Sequence, residues 1–130
     1  MFRPERIIET KSSLFSVIVA VIVGILAIPI IAPHFLHGFH LAHIVLHIGG
    51  ITLAVFISTL SFIAYGKLRT KRLLFSAIAF ANFVLAEFIL MLDATWPTAF
   101  DLGDVPLLEV GHLLTFATLG LLALGVFRND

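Results

Sequence analysis

Five titratable side chains lie within otherwise apolar stretches of this sequence: His43, His47, Glu87, Glu109 and His112. His43 and His47 are four residues apart, and Glu109 and His112 are three apart, so on helices each pair shares a face. Three imidazoles and two carboxylates are a donor set for a transition metal. Neutral imidazole suits copper, iron or zinc, and the carboxylates move the preference away from Cu(I). Glu-x-x-His is also how di-metal carboxylate bundles direct one carboxylate and one imidazole inward. The chain has too few such residues for a ferritin-type site. His47 and His112 alternatively suit haem b, one ligand from each of two helices, with Gly49, Gly50 and Gly111 leaving room for a macrocycle. Two nearby carboxylates are less expected beside haem, which ranks it below a small ion. A proton or ion relay would use the same groups. The cofactor-free reading pairs Glu and His across helices through hydrogen bonds worth roughly 0.6–2 kcal/mol each.

The elements that must position these groups are apolar runs over 14–32, 41–65, 73–92 and 107–127. The composition of the 130 residues agrees: 60% are apolar, 12% are charged and the mean hydropathy is +1.12. A soluble domain carries about 25% charged residues, so a water-soluble globule is a poor fit. Each run approaches the roughly 20 residues that cross about 30 Å of hydrocarbon as a helix. Helices are expected because an isolated strand would leave its backbone unpaired in lipid. The expected fold is therefore all-α, a single four-transmembrane-helix bundle. The segment MFRPERIIETKSS before the first run carries two acids. The run it precedes is also too long for a signal-peptide core, so the reading is a retained first helix.

Basic residues fall before the first run (Arg3, Arg6, Lys11), between the second and third (Lys67, Arg69, Lys71, Arg72) and after the fourth (Arg128). The other two connections contain no Lys or Arg. Positive residues favour the cytoplasmic side, which predicts N-in and C-in, with Trp96 and Tyr65 in the outer and inner aromatic belts. At about 1.5 Å of rise per residue, His43 and His47 then lie roughly 3 and 9 Å in from the outer end. Glu87 lies roughly 8 Å in, and Glu109 and His112 about 3 and 8 Å in. Three helices thus deliver ionisable groups to one layer, where such groups are costly and usually functional. The expectation is that helices two, three and four surround a common site.

The first outer connection adds His34, His37 and His40, and the second adds Asp93, Asp101 and Asp104. If the second helix begins early, His40, His43 and His47 form one stripe. These six residues read either as an interfacial turn or as an entry path or second metal site. The run from Lys67 to Arg72 is mainly a topology signal, with contact to anionic lipid in reach. Ser58, Ser61 and Ser76 are expected to hydrogen-bond within or between helices. Zero net charge argues against a nucleic-acid partner. The absence of cysteine excludes disulfides, thiolate zinc, blue copper, Fe–S clusters and c-type haem. No nucleotide loop, HExxH or G-x-S-x-G motif is present.

From Ala42 onward the stretches AHIVLHIGG, YGKLRTKR, FANFVLAEFIL and LLEVGHLL resemble small uncharacterised archaeal multi-helix membrane domains. Those domains combine a His-led helix, a basic turn, a Glu-bearing helix and a final Glu-x-x-His helix. The resemblance implies no activity; it makes the glutamate and Glu-x-x-His positions look deliberate. The expected function is transition-metal binding near the outer face of the cell membrane, in an accessory or electron-transfer subunit of a membrane oxidoreductase complex. The expected partners are lipid and either other membrane subunits or further copies of the chain. A structural or sensory subunit with paired Glu and His is the alternative.

Overall fold

The computed structural model describes residues 11–32, 38–97, 99–100 and 102–128, and these are almost wholly helical. Helix α1 spans Lys11–Leu26 and runs on as a π-helical turn, Ala27–Ile31. Helices α2 (Gly38–Leu68), α3 (Lys71–Thr95) and α4 (Leu107–Val126) follow. By length and composition α2, α3 and α4 can each cross a membrane, and α1 is a shorter apolar helix. The widened turn at the end of α1 contains Pro29. Proline lacks an N–H and its ring crowds the carbonyl four residues back, so the ladder loosens to longer-range bonding there.

The chain reverses sharply between α2 and α3. Arg69 takes a left-handed conformation (φ 54°), and its N–H donates to the Tyr65 carbonyl at 2.8 Å. This is a C-terminal cap geometry that usually recruits glycine. Between α3 and α4, Leu102 and Val105 exchange two backbone hydrogen bonds around Gly103 (φ 67°) and Asp104. Gly supplies the positive φ and Asp suits a tight turn, which accounts for both residues locally.

Helix α3 is the centre of the arrangement. It packs along its length on α2 and on α4, while α1 lies more lightly on α2. Among the described residues no comparable packing joins α2 to α4. At about 100° per residue, Val84, Glu87 and Met91 fall within about 60° of one another on α3; Asn82 lies across the helix from Met91, and Leu90 lies about 60° round from Glu87. Met91 joins the core of Ile44, Ile48 and Ile51 from α2 and Ile30 from the end of α1. Leu90 and Asn82 instead meet α4. The expectation that α2, α3 and α4 enclose one shared space is therefore corrected: α3 stands between the other two.

The α3–α4 contact is built on small residues. Gly111, Thr118 and Gly125 are buried on α4 at seven-residue spacing, which keeps them on one seam. A Cβ at Gly111 would lie 2.5 Å from a Leu90 methyl, and one at Gly125 would lie 3.1 Å from the Phe75 Cβ. The backbones can approach because there is no side chain between them. Asn82 bridges the same seam, donating to the Leu114 carbonyl at 2.7 Å and to the Thr118 hydroxyl at 2.9 Å. On the other side of α3, the Ser58 hydroxyl donates to the Ala77 carbonyl at 2.9 Å, the interhelical bond expected of a serine there.

Large apolar side chains point outward along all four helices, among them Val21, Ile25, Leu46, Leu53, Leu113, Phe116, Leu119 and Leu124. The described basic residues Lys11, Lys67, Arg69, Lys71, Arg72 and Arg128 sit at helix ends or turns on one end of the bundle. There Arg72 Nε donates to the Arg128 carbonyl at 2.6 Å, and the Arg128 guanidinium lies 5.1 Å from the Phe75 ring centre.

Candidate functional site

The polar cluster begins with the packing face of α2. Ile44, Ile48 and Ile51 recur at helical spacing and are buried. His47 precedes Ile48 on the rim of that face and is drawn partly inward. His43 lies further round the helix and is exposed. Opposite His47, α3 presents Glu87. The two side chains are 14% and 15% exposed, and His47 Nδ1 lies 2.7 Å from Glu87 Oε2. The other ring nitrogen, Nε2, lies 3.2 Å from Nε2 of His43, with the imidazoles nearly perpendicular.

Gly50 makes room for this arrangement. A Cβ there would sit 3.0 Å from Glu87 Oε2 and 3.1 Å from its carboxyl carbon. The corresponding space at Gly111 is filled by Leu90, and Gly49 has nothing within 4 Å of its hypothetical Cβ. The room attributed to a macrocycle thus belongs, at two of the three glycines, to side chains of α3.

Of the five residues singled out by spacing, the fold brings together His43, His47 and Glu87. It does not bring Glu109 and His112 to them. Both are exposed on α4, because α4 docks through Leu107, Gly111, Thr118 and Gly125, and residues 109 and 112 lie off that seam. His47 packs from α2 onto Glu87 of α3, whereas His112 is exposed on α4. Among the described residues no group of three or more His, Cys, Asp or Glu is arranged to hold a metal ion. The described residues place these five groups as a two-imidazole, one-carboxylate cluster and a separate exposed Glu-x-x-His pair.

The register along the helices nonetheless keeps these groups level. Antiparallel packing sets Leu90 against Gly111, and Asn82 against Leu114 and Thr118. His112 is then displaced from Glu87 along the helix axes by only about one to two residues of rise, roughly 2–3 Å. Glu87 and His112 are thus close in level along the helices but face different directions.

The second cluster does not assemble among the described residues either. Because α2 starts at Gly38, His40 is helical and shares a face with His47. Asp93 is half-buried in the last turn of α3, on the side turned toward α4, and Asp104 is exposed at the tip of its turn. His34, His37 and Asp101 lie outside the described residues, as do Arg3, Arg6 and the carboxylates Glu5, Glu9 and Asp130.

The residue missed from the sequence is Asn82, whose amide joins α3 to α4. The available signal was the seven-residue recurrence of small residues on α4, which marks the seam Asn82 faces.

Comparison with protein-family models, curated proteins and solved structures finds no match to this chain. Fold and site together define a class only: among the described residues, a helical protein with three long apolar helices and one shorter, carrying a carboxylate–imidazole–imidazole cluster near one end. The resemblance from Ala42 onward rests on its short motifs alone.

Proposed function

We propose that this chain is a multi-pass integral membrane protein of the cell membrane that binds a transition metal through His43 and His47 near the outer face. The termini and the α2–α3 turn lie inside, as the clustering of basic residues at that end favours. The outward-facing apolar side chains are in contact with lipid or with neighbouring membrane subunits.

The observation that carries the metal reading is the pair of Nε2 atoms 3.2 Å apart. With metal–nitrogen bonds of about 2.0–2.1 Å, that separation subtends about 100° at a common ion, between the square-planar and tetrahedral values. Glu87 on Nδ1 adds the outer-shell carboxylate that fixes the tautomer of a ligating histidine and raises its basicity. Copper, iron and zinc all fit two imidazoles. Bound copper or iron would suit an accessory or electron-transfer subunit of an oxidoreductase.

One feature favours a second, cofactor-free reading. The same atoms form an unbroken hydrogen-bonded chain if both histidines are neutral. His43 Nε2–H then donates to His47 Nε2, and His47 Nδ1–H donates to Glu87. Such a chain satisfies every member and stabilises the α2–α3 contact without an ion.

The deciding experiment is the metal content of protein purified from membranes in detergent, together with titration by Zn2+ and Cu2+. Stoichiometric metal that is lost in His43→Ala and His47→Ala, and weakened about 10–100-fold in Glu87→Gln, supports the metal reading. Binding indifferent to all three substitutions, or no binding, returns the cluster to the structural reading. Topology is tested separately, since the chain has no cysteine. Ala99→Cys should react with an impermeant thiol reagent from outside, and Thr70→Cys should not.

A further inference from the structure

We infer that Glu109 and His112 of a second copy of this chain complete the coordination begun by His43 and His47, so that the metal site lies between subunits. This rests on the metal reading proposed above.

The site on α2 is open and short of ligands. Two imidazoles leave a four-coordinate ion two positions to fill, and no third donor of this chain is arranged to help among the described residues. His43 is exposed, so the open side of the pair faces away from the bundle. Glu87 does not supply the missing donor, because its carboxylate is engaged on His47 Nδ1.

The complementary half is on α4. Glu109 and His112 present one carboxylate and one imidazole on a single exposed helix face. They sit within a few ångströms of the level of Glu87, by the register of Leu90 on Gly111. Their exposure needs explaining in a membrane helix, since ionisable side chains there face protein or water rather than lipid. The position of Glu109 in the first turn of α4 is favoured by the helix dipole. The dipole offers no such advantage to the imidazole of His112. The same face continues as Phe116 and Leu119, 72% and 58% exposed, an apolar surface on which a second copy can seat. Among the described residues, two donors lacking an ion and a pair of imidazoles short of further donors thus occur at one level on different faces of one chain. Two-fold or cyclic symmetry brings such faces together in every copy.

The test uses two full-length variants. One carries His43→Ala and His47→Ala; the other carries Glu109→Gln and His112→Asn. Each alone should lose high-affinity Zn2+ and Cu2+ binding, by at least tenfold. Co-expressed in equal amounts, they should recover about a quarter of the wild-type high-affinity sites, because random pairing leaves about a quarter of the interfaces with both halves intact. In parallel, His43→Cys in one copy and His112→Cys in another should give a disulfide-linked dimer on oxidation in membranes, and neither variant alone should do so. Should the first variant lose metal while the second retains it, the intersubunit site is wrong and the metal reading stands. Failure of both variants to change binding overturns both. Loss in each without recovery on mixing, together with no cross-link, also overturns the intersubunit assignment.

Discussion

The two faces of α3 are packed by opposite means. Toward α4 the helices close on Gly111, Thr118 and Gly125 with one amide bridge, and Asn82 finds both its partners there. Toward α2 the contact carries Glu87 and His47 at one end, and beside it lies an apolar cavity of about 340 Å³ lined by Ile22, Leu26, Ile51, Val84 and Phe88, among others. The first face uses small residues to bring backbones together, and its polar groups serve only that closure. The second places the titratable pair His47 and Glu87 at its end. Within a membrane, where apolar burial gives little drive for helix association, close packing and interhelical hydrogen bonds must hold helices together. One face of α3 is anchored by small residues and an amide bridge, and the other carries the His47–Glu87 pair.

The sharpest way to break this contrast is at His47. Replacing it alone, as His47→Leu, should remove metal binding by more than 100-fold, equivalent to about 3 kcal/mol. It should also lower stability by about 1–3 kcal/mol, because the partly buried Glu87 loses its partner. Replacing both, as His47→Leu with Glu87→Leu, should restore stability to within about 1 kcal/mol of wild type while binding stays lost. Metal titration and a detergent-denaturant unfolding curve on the same samples check both halves. A double variant as unstable as the single one would mean that the pair is an anchor after all.

A smaller effect is expected from the opposite face. Gly111→Ala forces its new methyl against Leu90 and should cost about 1–3 kcal/mol in unfolding free energy. The α2–α3 polar pair does not touch this position, so histidine NMR signals from His43 and His47 should be unmoved. Signals that shift together would show that the two faces are coupled through α3.

The smallest change lies where the chain turns between the two helices of the polar face. Arg69→Gly relieves a left-handed residue and should stabilise the fold by about 0.5–1 kcal/mol, without altering metal binding. A midpoint that falls instead would show that the Arg69 side chain, 5.8 Å from the Tyr65 ring centre, matters more than its backbone.

Much of the fold was legible because apolar runs of membrane-spanning length permit little but helices. The boundaries moved for local reasons: α2 starts at Gly38 and so takes in His40, and Pro29 turns the end of α1 into a π-helical turn. The pairing of His43 with His47 was legible too, since residues four apart share a helix face. Glu87 was legible only as a depth, and its contact with His47 needed the α2–α3 register. Placing Glu109 and His112 in the same cluster failed because periodicity relates the two to each other but says nothing about which neighbour their face meets.

What the sequence determined by itself is the helical character of the apolar runs and the position of each ionisable group along them. Composition, helix periodicity and the sorting of eight basic and eight acidic residues act along one chain axis, and depth is a coordinate on that axis. Direction around each helix was decided only in the tertiary structure. There the small side chains of Gly111, Thr118 and Gly125 chose the face of α4 that meets α3, and that choice turned Glu109 and His112 outward. A rotation about the helix axis leaves depth unchanged, and side-chain packing between helices is what fixes it.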